Sequence, residues 1–207
     1  HDGTNSRIRQ STASDLIIEN LGDDKDIIFK CDDGSGGLTP YLTLDGSAGY
    51  TMAQKDIRMA DGVSFRVGGG GDARFMHNGS DMYLENFTGD LIIRNSLDDK
   101  DILFQSDDGS GGTTAYLTLD GRETKTIVSQ TMEIQDNVKL AIGNSEDMTI
   151  DHNATDTRIM NYTGDLRILN VANDKDITFE SDDGGGGVST YFYLDGSLTE
   201  TNFQVRT

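Results

Sequence analysis

The chain has no tryptophan, one proline (Pro40) and one cysteine (Cys31) in 207 residues. One cysteine excludes an intrachain disulfide framework and says little about redox compartment. One proline beside 25 glycines excludes collagen and argues against a proline-rich linker. Apolar residues are scarce, at 34%, which argues against a thick hydrophobic core. No apolar run approaches the length of a membrane span, and no secretory leader is recognisable. His1 stands in place of an initiating methionine, so the sequence reads as an excerpt of a longer chain. Glutamate is scarce too, with 7 Glu against 29 Asp among the 36 acidic residues. Glu is a good helix former, whereas Asp and Gly favour turns and caps, so the chain should be turn-rich and non-helical.

Positive charge is also short, with 17 basic residues leaving a formal net charge of −19. Such a surface repels phosphate backbones and anionic lipid heads, which makes nucleic acid and membrane surfaces poor partners, and neither a nucleic acid partner nor membrane insertion is expected. The same repulsion helps to keep a long particle soluble.

What the chain does have is repetition. "DDKDIIFKCDDGSGG" at 23 to 37 returns as "DDKDILFQSDDGSGG" at 98 to 112 and "NDKDITFESDDGGGG" at 173 to 187. "YLTLDG" at 41 and 116 returns as "YFYLDG" at 191, and "TGDL" occurs at 88 and 163. The register is 75 residues, except for one extra residue near Ala13 that makes the step from His1 to His77 one longer. Weaker stretches keep register as well: "IRMADGVSFRVG" at 57 matches "MEIQDNVKLAIG" at 132. The repeats are 1–70, which starts mid-repeat, 71–145, and 146–207, which is truncated.

Within a repeat the pattern has period two. In "KDILFQSD", Ile102, Phe104 and Ser106 share one side, and Asp101, Leu103 and Gln105 the other. The first side is held across copies (Ile27, Ile102, Ile177; Phe29, Phe104, Phe179), while the second drifts. A constant side and a drifting side describe a strand buried on one face. Those six residues are the expected structural core. Further strands are expected at "MYLEN", "DLIIRN", "AYLTLD", "TIVSQ", "TMEIQ", "VKLAIG" and "MTID", each bounded by Gly, Asp or Asn. The expected fold is therefore all-β: an elongated repetitive fibre of β-solenoid, β-helix or β-prism type. Several chains wound about one axis would cover both the apolar faces and the strand edges.

The repeated words admit two readings. As calcium ligands, Asp32, Asp33, Asp107, Asp108, Asp182 and Asp183 are hard oxygen donors of the right type. As architecture, "DDGSGG" is a turn in which Gly supplies positive φ and Asp bonds nearby backbone. The order of ligands found in helix–loop–helix calcium sites is missing, and "GGGGD" at 68 occurs once and becomes "GNSED" in the next copy, so the turn reading is favoured. No cofactor is expected, and calcium is the one candidate. Lys25, Lys100 and Lys175 inside the "DKD" words read as local ion pairs at strand entrances. His1, His77 and His152 share one repeat position, suited to capping a turn or packing at a subunit boundary. Three such imidazoles converging on an axis would instead suit a metal ion. Asn78, Asn86, Asn153 and Asn161 begin N-x-[ST] triplets, which are glycan acceptors in secretory proteins and otherwise turn residues. Cys31 aligns with Ser106 and Ser181, which suggests a small-residue position and not a reactive thiol. No Ser-His-Asp order, phosphate loop or zinc spacing is present, so no catalytic residue is assigned and the chain is read as a non-enzyme.

Taken together, "HDGTNS", "TGDL", "DDKDIIFKCDDGSGG" and "YLTLDGS" resemble repeats in tail fibres and virion structural proteins of tailed bacteriophages, especially those of marine bacteria. The resemblance covers the whole chain. It implies a homotrimeric, β-rich fibre on an extracellular virion, contacting other virion proteins and reaching toward a host-surface glycan or protein. Departures lie in turns: "QSTASD" in copy one, "NDKD" and "DDGGGG" in copy three. The resulting expectation is a shaft segment that spaces and presents a host-binding tip. The rival expectations are the calcium-binding stalk of a bacterial surface adhesin and a glycan-degrading tailspike.

Overall fold

The computed structural model describes residues 6–204. Among them there is no helix, and the strands fall into five antiparallel sheets of three strands, each a simple up-down meander. The chain is thus all-β, built by local pairing alone. It divides into two compact units, one ending at Arg94 and the other beginning at Asn95.

In the first unit, β1 (Ile27–Asp32), β2 (Leu38–Asp45) and β3 (Tyr50–Ala53) form one sheet. The other comprises β4 (Ser64–Val67), β5 (Ala73–His77) and β6 (Met82–Asn86). The second unit repeats this pair and adds a third sheet. β7 (Ile102–Asp107), β8 (Thr113–Asp120) and β9 (Lys125–Val128) match the first sheet, and β10 (Leu140–Ile142), β11 (Met148–His152) and β12 (Thr157–Asn161) match the second. β13 (Ile177–Asp182), β14 (Val188–Asp195) and β15 (Glu200–Phe203) give the first type again.

Two period-two faces emerge from the register. On one face of the first sheet type, Ile27 pairs with Leu44 and Phe29 with Leu42. The same face holds Ile102–Leu119 and Phe104–Leu117–Val128 in the second copy. In the third it holds Ile177–Leu194 and Phe179–Phe192–Phe203. There the rings stack, Phe179 on Phe192 at 4.3 Å and Phe192 on Phe203 at 5.7 Å. The face that stays constant between copies is therefore one continuous apolar row per sheet, as cross-strand pairing requires.

That row is not buried within the chain. No apolar side chain among the described residues is buried, and Phe29, Phe104 and Phe179 are 46%, 44% and 37% exposed. Ile27, Ile102 and Ile177 are half-buried. The six expected core residues therefore share a face without having a core in the single chain. The second sheet type shows the same inversion. Phe65, Phe75 and Leu84 form a cross-strand row that is open to solvent, while the opposite face carries the half-buried Arg74–Glu85 ion pair.

Two expected strands are absent. "DLIIRN" at 90–95 and "TMEIQ" at 131–135 carry the strand pattern, but neither joins a strand ladder among the described residues. A strand pattern becomes a strand only where it hydrogen-bonds a neighbouring edge, and none of the three-stranded meanders takes these segments as a further strand. "MYLEN" forms β6 over its full length, and "AYLTLD", "TIVSQ", "VKLAIG" and "MTID" lie wholly or partly in β8, β9, β10 and β11.

Candidate functional site

The loop before each eight-residue strand is where the repeated "DDGSGG" falls. β7 ends at Asp107 and β8 begins at Thr113, so residues 108–112 form the connection. Gly109 and Gly111 sit at φ +79° and +90°, a region an L side chain resists. Their copies Gly34 and Gly36, and Gly184 and Gly186, do the same.

The carboxylates close this loop from inside. Asp108 Oδ1 accepts from the Ser110 amide and hydroxyl at 2.8 Å each and from the Gly112 amide at 3.1 Å. Asp107 Oδ1 accepts from the Gly109 amide at 2.7 Å. In the first copy Asp33 takes the Ser35 and Gly37 amides and Asp32 the Gly36 amide. In the third, Asp183 takes those of Gly185 and Gly187, and Asp182 that of Gly184. The Ser110 amide and hydroxyl, then the Gly112 amide, hold the Asp108 carboxyl below the usual range. Backbone amides, Ser35 first for Asp33 and Gly185 first for Asp183, do the same in the other copies. These oxygens are thus engaged as turn acceptors. Among the described residues no set of three or more His, Cys, Asp or Glu side chains is grouped to hold a metal ion.

A bulge locks the same loop from the other side. Phe104 pairs with Leu117 and Gln105 with Ala115, which leaves Tyr116 as the extra residue. Its hydroxyl donates to the Asp107 carbonyl at 3.1 Å, and Tyr41 and Tyr191 donate to Asp32 and Asp182 at 2.9 and 2.8 Å. The tyrosine of "YLTLDG" and the carbonyl before "DG" therefore form one unit, invisible as a pair in the sequence.

The "DKD" words work differently from expectation. Among the described residues Lys25, Lys100 and Lys175 form no ion pair, which corrects the reading of a local salt bridge. The acidic residue after each lysine carries the interaction. Asp26, Asp101 and Asp176 each accept from the amide of Gly46, Gly121 or Gly196 at 3.0 Å. At those glycines a Cβ would stand 2.3 to 2.4 Å from the carbonyl oxygen of Lys25, Lys100 or Lys175. The contact is backbone on side-chain-free backbone, so the "DKD" word and the glycine of "LDG" define one another. The Asn20, Asn95 and Asn170 side chains brace the strand entrance by donating to the Asp26, Asp101 and Asp176 carbonyls.

Other candidates sit in turns. Asn78 and Asn153 accept from the amides two and three residues on, and Asn86 and Asn161 donate to carbonyls of the following turn. At His77 the Gly79 amide and Asp61 Oδ1 both lie 3.1 Å from Nδ1. An unprotonated Nδ1 serves the amide and a protonated one the carboxylate, so one tautomer makes one of the two bonds. His152 Nδ1 lies 3.2 Å from the Thr157 hydroxyl, and His1 is outside the described residues. Cys31 is exposed on β1, so packing within the chain does not explain its small size.

The sequence reading missed two cross-strand ion pairs that break the repeat. Arg74 pairs with Glu85, while Arg158 grips Asp151 through two nitrogens at 2.6 and 3.0 Å. Asp151 is only 7% exposed, and Arg158 holds its carboxyl below the usual range. The pairs occupy different register positions in the two copies, so no repeated word announces them. Comparisons with family models, with curated proteins and with solved structures find no match to this chain.

Proposed function

We propose that the chain is a non-enzymatic shaft segment of a bacteriophage tail fibre or related virion fibre. It would act in the extracellular virion by spacing and presenting a host-binding tip. The observation that carries this reading is the constant apolar row of each sheet, Phe104–Leu117–Val128 and its copies, left open by the chain that encodes it. A face maintained through every copy and covered in none suits a body completed by other copies, wound as a homotrimer of β-solenoid, β-helix or β-prism type. The repeated words support the same reading, because their aspartates and glycines serve turns and contacts at strand entrances. The resemblance to phage fibre repeats supplies the virion setting.

Light scattering coupled to size exclusion, with electron microscopy of the same fractions, tests the proposal. Three chains in a thin rod are expected, and a stable folded monomer would overturn it. Cleavage of a surface polysaccharide would redirect the assignment to a tailspike. Strong stabilisation by calcium would redirect it to an adhesin stalk.

A further inference from the structure

The chain holds one more repeated element that none of its sheets includes, touching the strand entrances only through its final asparagine. Residues 15–20, 90–95 and 165–170 read DLIIEN, DLIIRN and DLRILN. Leu16 and Ile18, Leu91 and Ile93, and Leu166 and Ile168 are the constant positions at spacing two, and the residue between them drifts from Ile17 and Ile92 to Arg167. That is a one-faced strand pattern. The constant residues are nonetheless 51% to 62% exposed in all three copies. Among the described residues, the backbone amides and carbonyls of residues 16–19, 91–94 and 166–169 make no hydrogen bond. Open apolar residues on an unpaired edge, three in a row in the first two copies and Leu166, Ile168 and Leu169 around Arg167 in the third, are an aggregation hazard unless something covers them.

We propose that these three segments are interaction strands, each pairing its free backbone edge with a neighbouring copy of this same chain. This rests on the fibre reading above and names the surface through which that fibre is joined. A second copy is favoured over an unrelated partner for two reasons. Any occupant must offer a matching edge three times at the chain's own 75-residue period, and a copy of the chain does so by construction. The exposed surface is also large enough: 17198 Å², where a compact protein of this mass exposes about 9,500 Å². The excess is several times the roughly 1,600 Å² of an ordinary stable interface. Charge is balanced at the middle and third segments, Asp90 with Arg94 and Asp165 with Arg167, whereas the first carries Asp15 and Glu19. Main-chain pairing would supply affinity and the Leu-x-Ile face the register.

Hydrogen–deuterium exchange on the assembled protein tests this directly. Alternate amides of a strand face opposite edges, so either the Ile92 amide or the Leu91 and Ile93 amides together should exchange about a hundredfold more slowly than in an open chain. A triple proline variant at the protected position of each segment (Ile17, Ile92 and Arg167, or Leu16, Leu91 and Leu166) loses no hydrogen bond to any described residue, because those amides have none. It should raise the concentration needed for assembly about tenfold or more, while the conservative Ile92→Val leaves it unchanged. If the wild type assembles but these amides exchange at the open-chain rate, or the proline variant assembles as the wild type does, the inference fails and the fibre reading stands. If the wild type is a folded monomer, the fibre reading fails and takes the inference with it.

Discussion

Replacing Phe104 with Ala separates a core completed by neighbouring copies from one confined to a single chain. In the single chain Phe104 is 44% exposed, so only about half of its surface is available to lose. Full burial of such a side chain is worth about 1.5–3 kcal/mol, which leaves about 1–1.5 kcal/mol for truncation if nothing else covers the ring. If neighbouring copies complete the Phe104–Leu117–Val128 row, the same substitution opens a cavity in a closed core and costs about 3–5 kcal/mol. For a chain of this length the difference is on the order of 10 °C in Tm against about 3 °C. Concentration gives a second readout, because stability coupled to association falls on dilution. Thermal melts over a hundredfold range of protein concentration are the assay, with Gln105→Ala as a control expected within about 0.5 kcal/mol. A small Phe104→Ala effect that is the same at every concentration would refute the shared-core reasoning.

Acid should weaken the repeated loops. The Asp33, Asp108 and Asp183 carboxyls are held below their usual range, so their contribution is present above about pH 4 and is lost as pH falls through the folded values. Melts of Asp108→Asn should lie below the wild type at pH 7 and converge with it in acid; parallel curves would contradict the turn geometry. Gly121→Ala should cost about 1–3 kcal/mol, because its Cβ would meet the Lys100 carbonyl at 2.4 Å. Gly109→Ala meets open space and should cost only the left-handed backbone strain of about 1–2 kcal/mol. Circular dichroism melts would compare the two. Tyr116→Phe removes the bond to the Asp107 carbonyl and should cost about 0.5–1.5 kcal/mol in the same melts. Chelating calcium should leave Tm unchanged, whereas a bound ion at a hundredfold excess over its Kd would have contributed about 2.7 kcal/mol.

The sequence by itself determined whatever depends on neighbours a few residues away. The period-two pattern of "KDILFQSD" became β7, with Ile102 and Phe104 on one face, because side-chain alternation is a property of any extended backbone. "DDGSGG" became a turn because positive φ and aspartate-to-amide bonds are local chemistry. Only the tertiary structure decided what lies across the chain. Lys100 gives up its expected ion pair while Asp101 reaches a glycine twenty residues on, and Tyr116 becomes a bulge whose hydroxyl closes the preceding loop. "DLIIRN" carries the same strand alternation as β7 yet stays unpaired. Periodicity states that a segment can be a strand, whereas pairing depends on whether a free edge is within reach, and that is a fact of topology and not of composition.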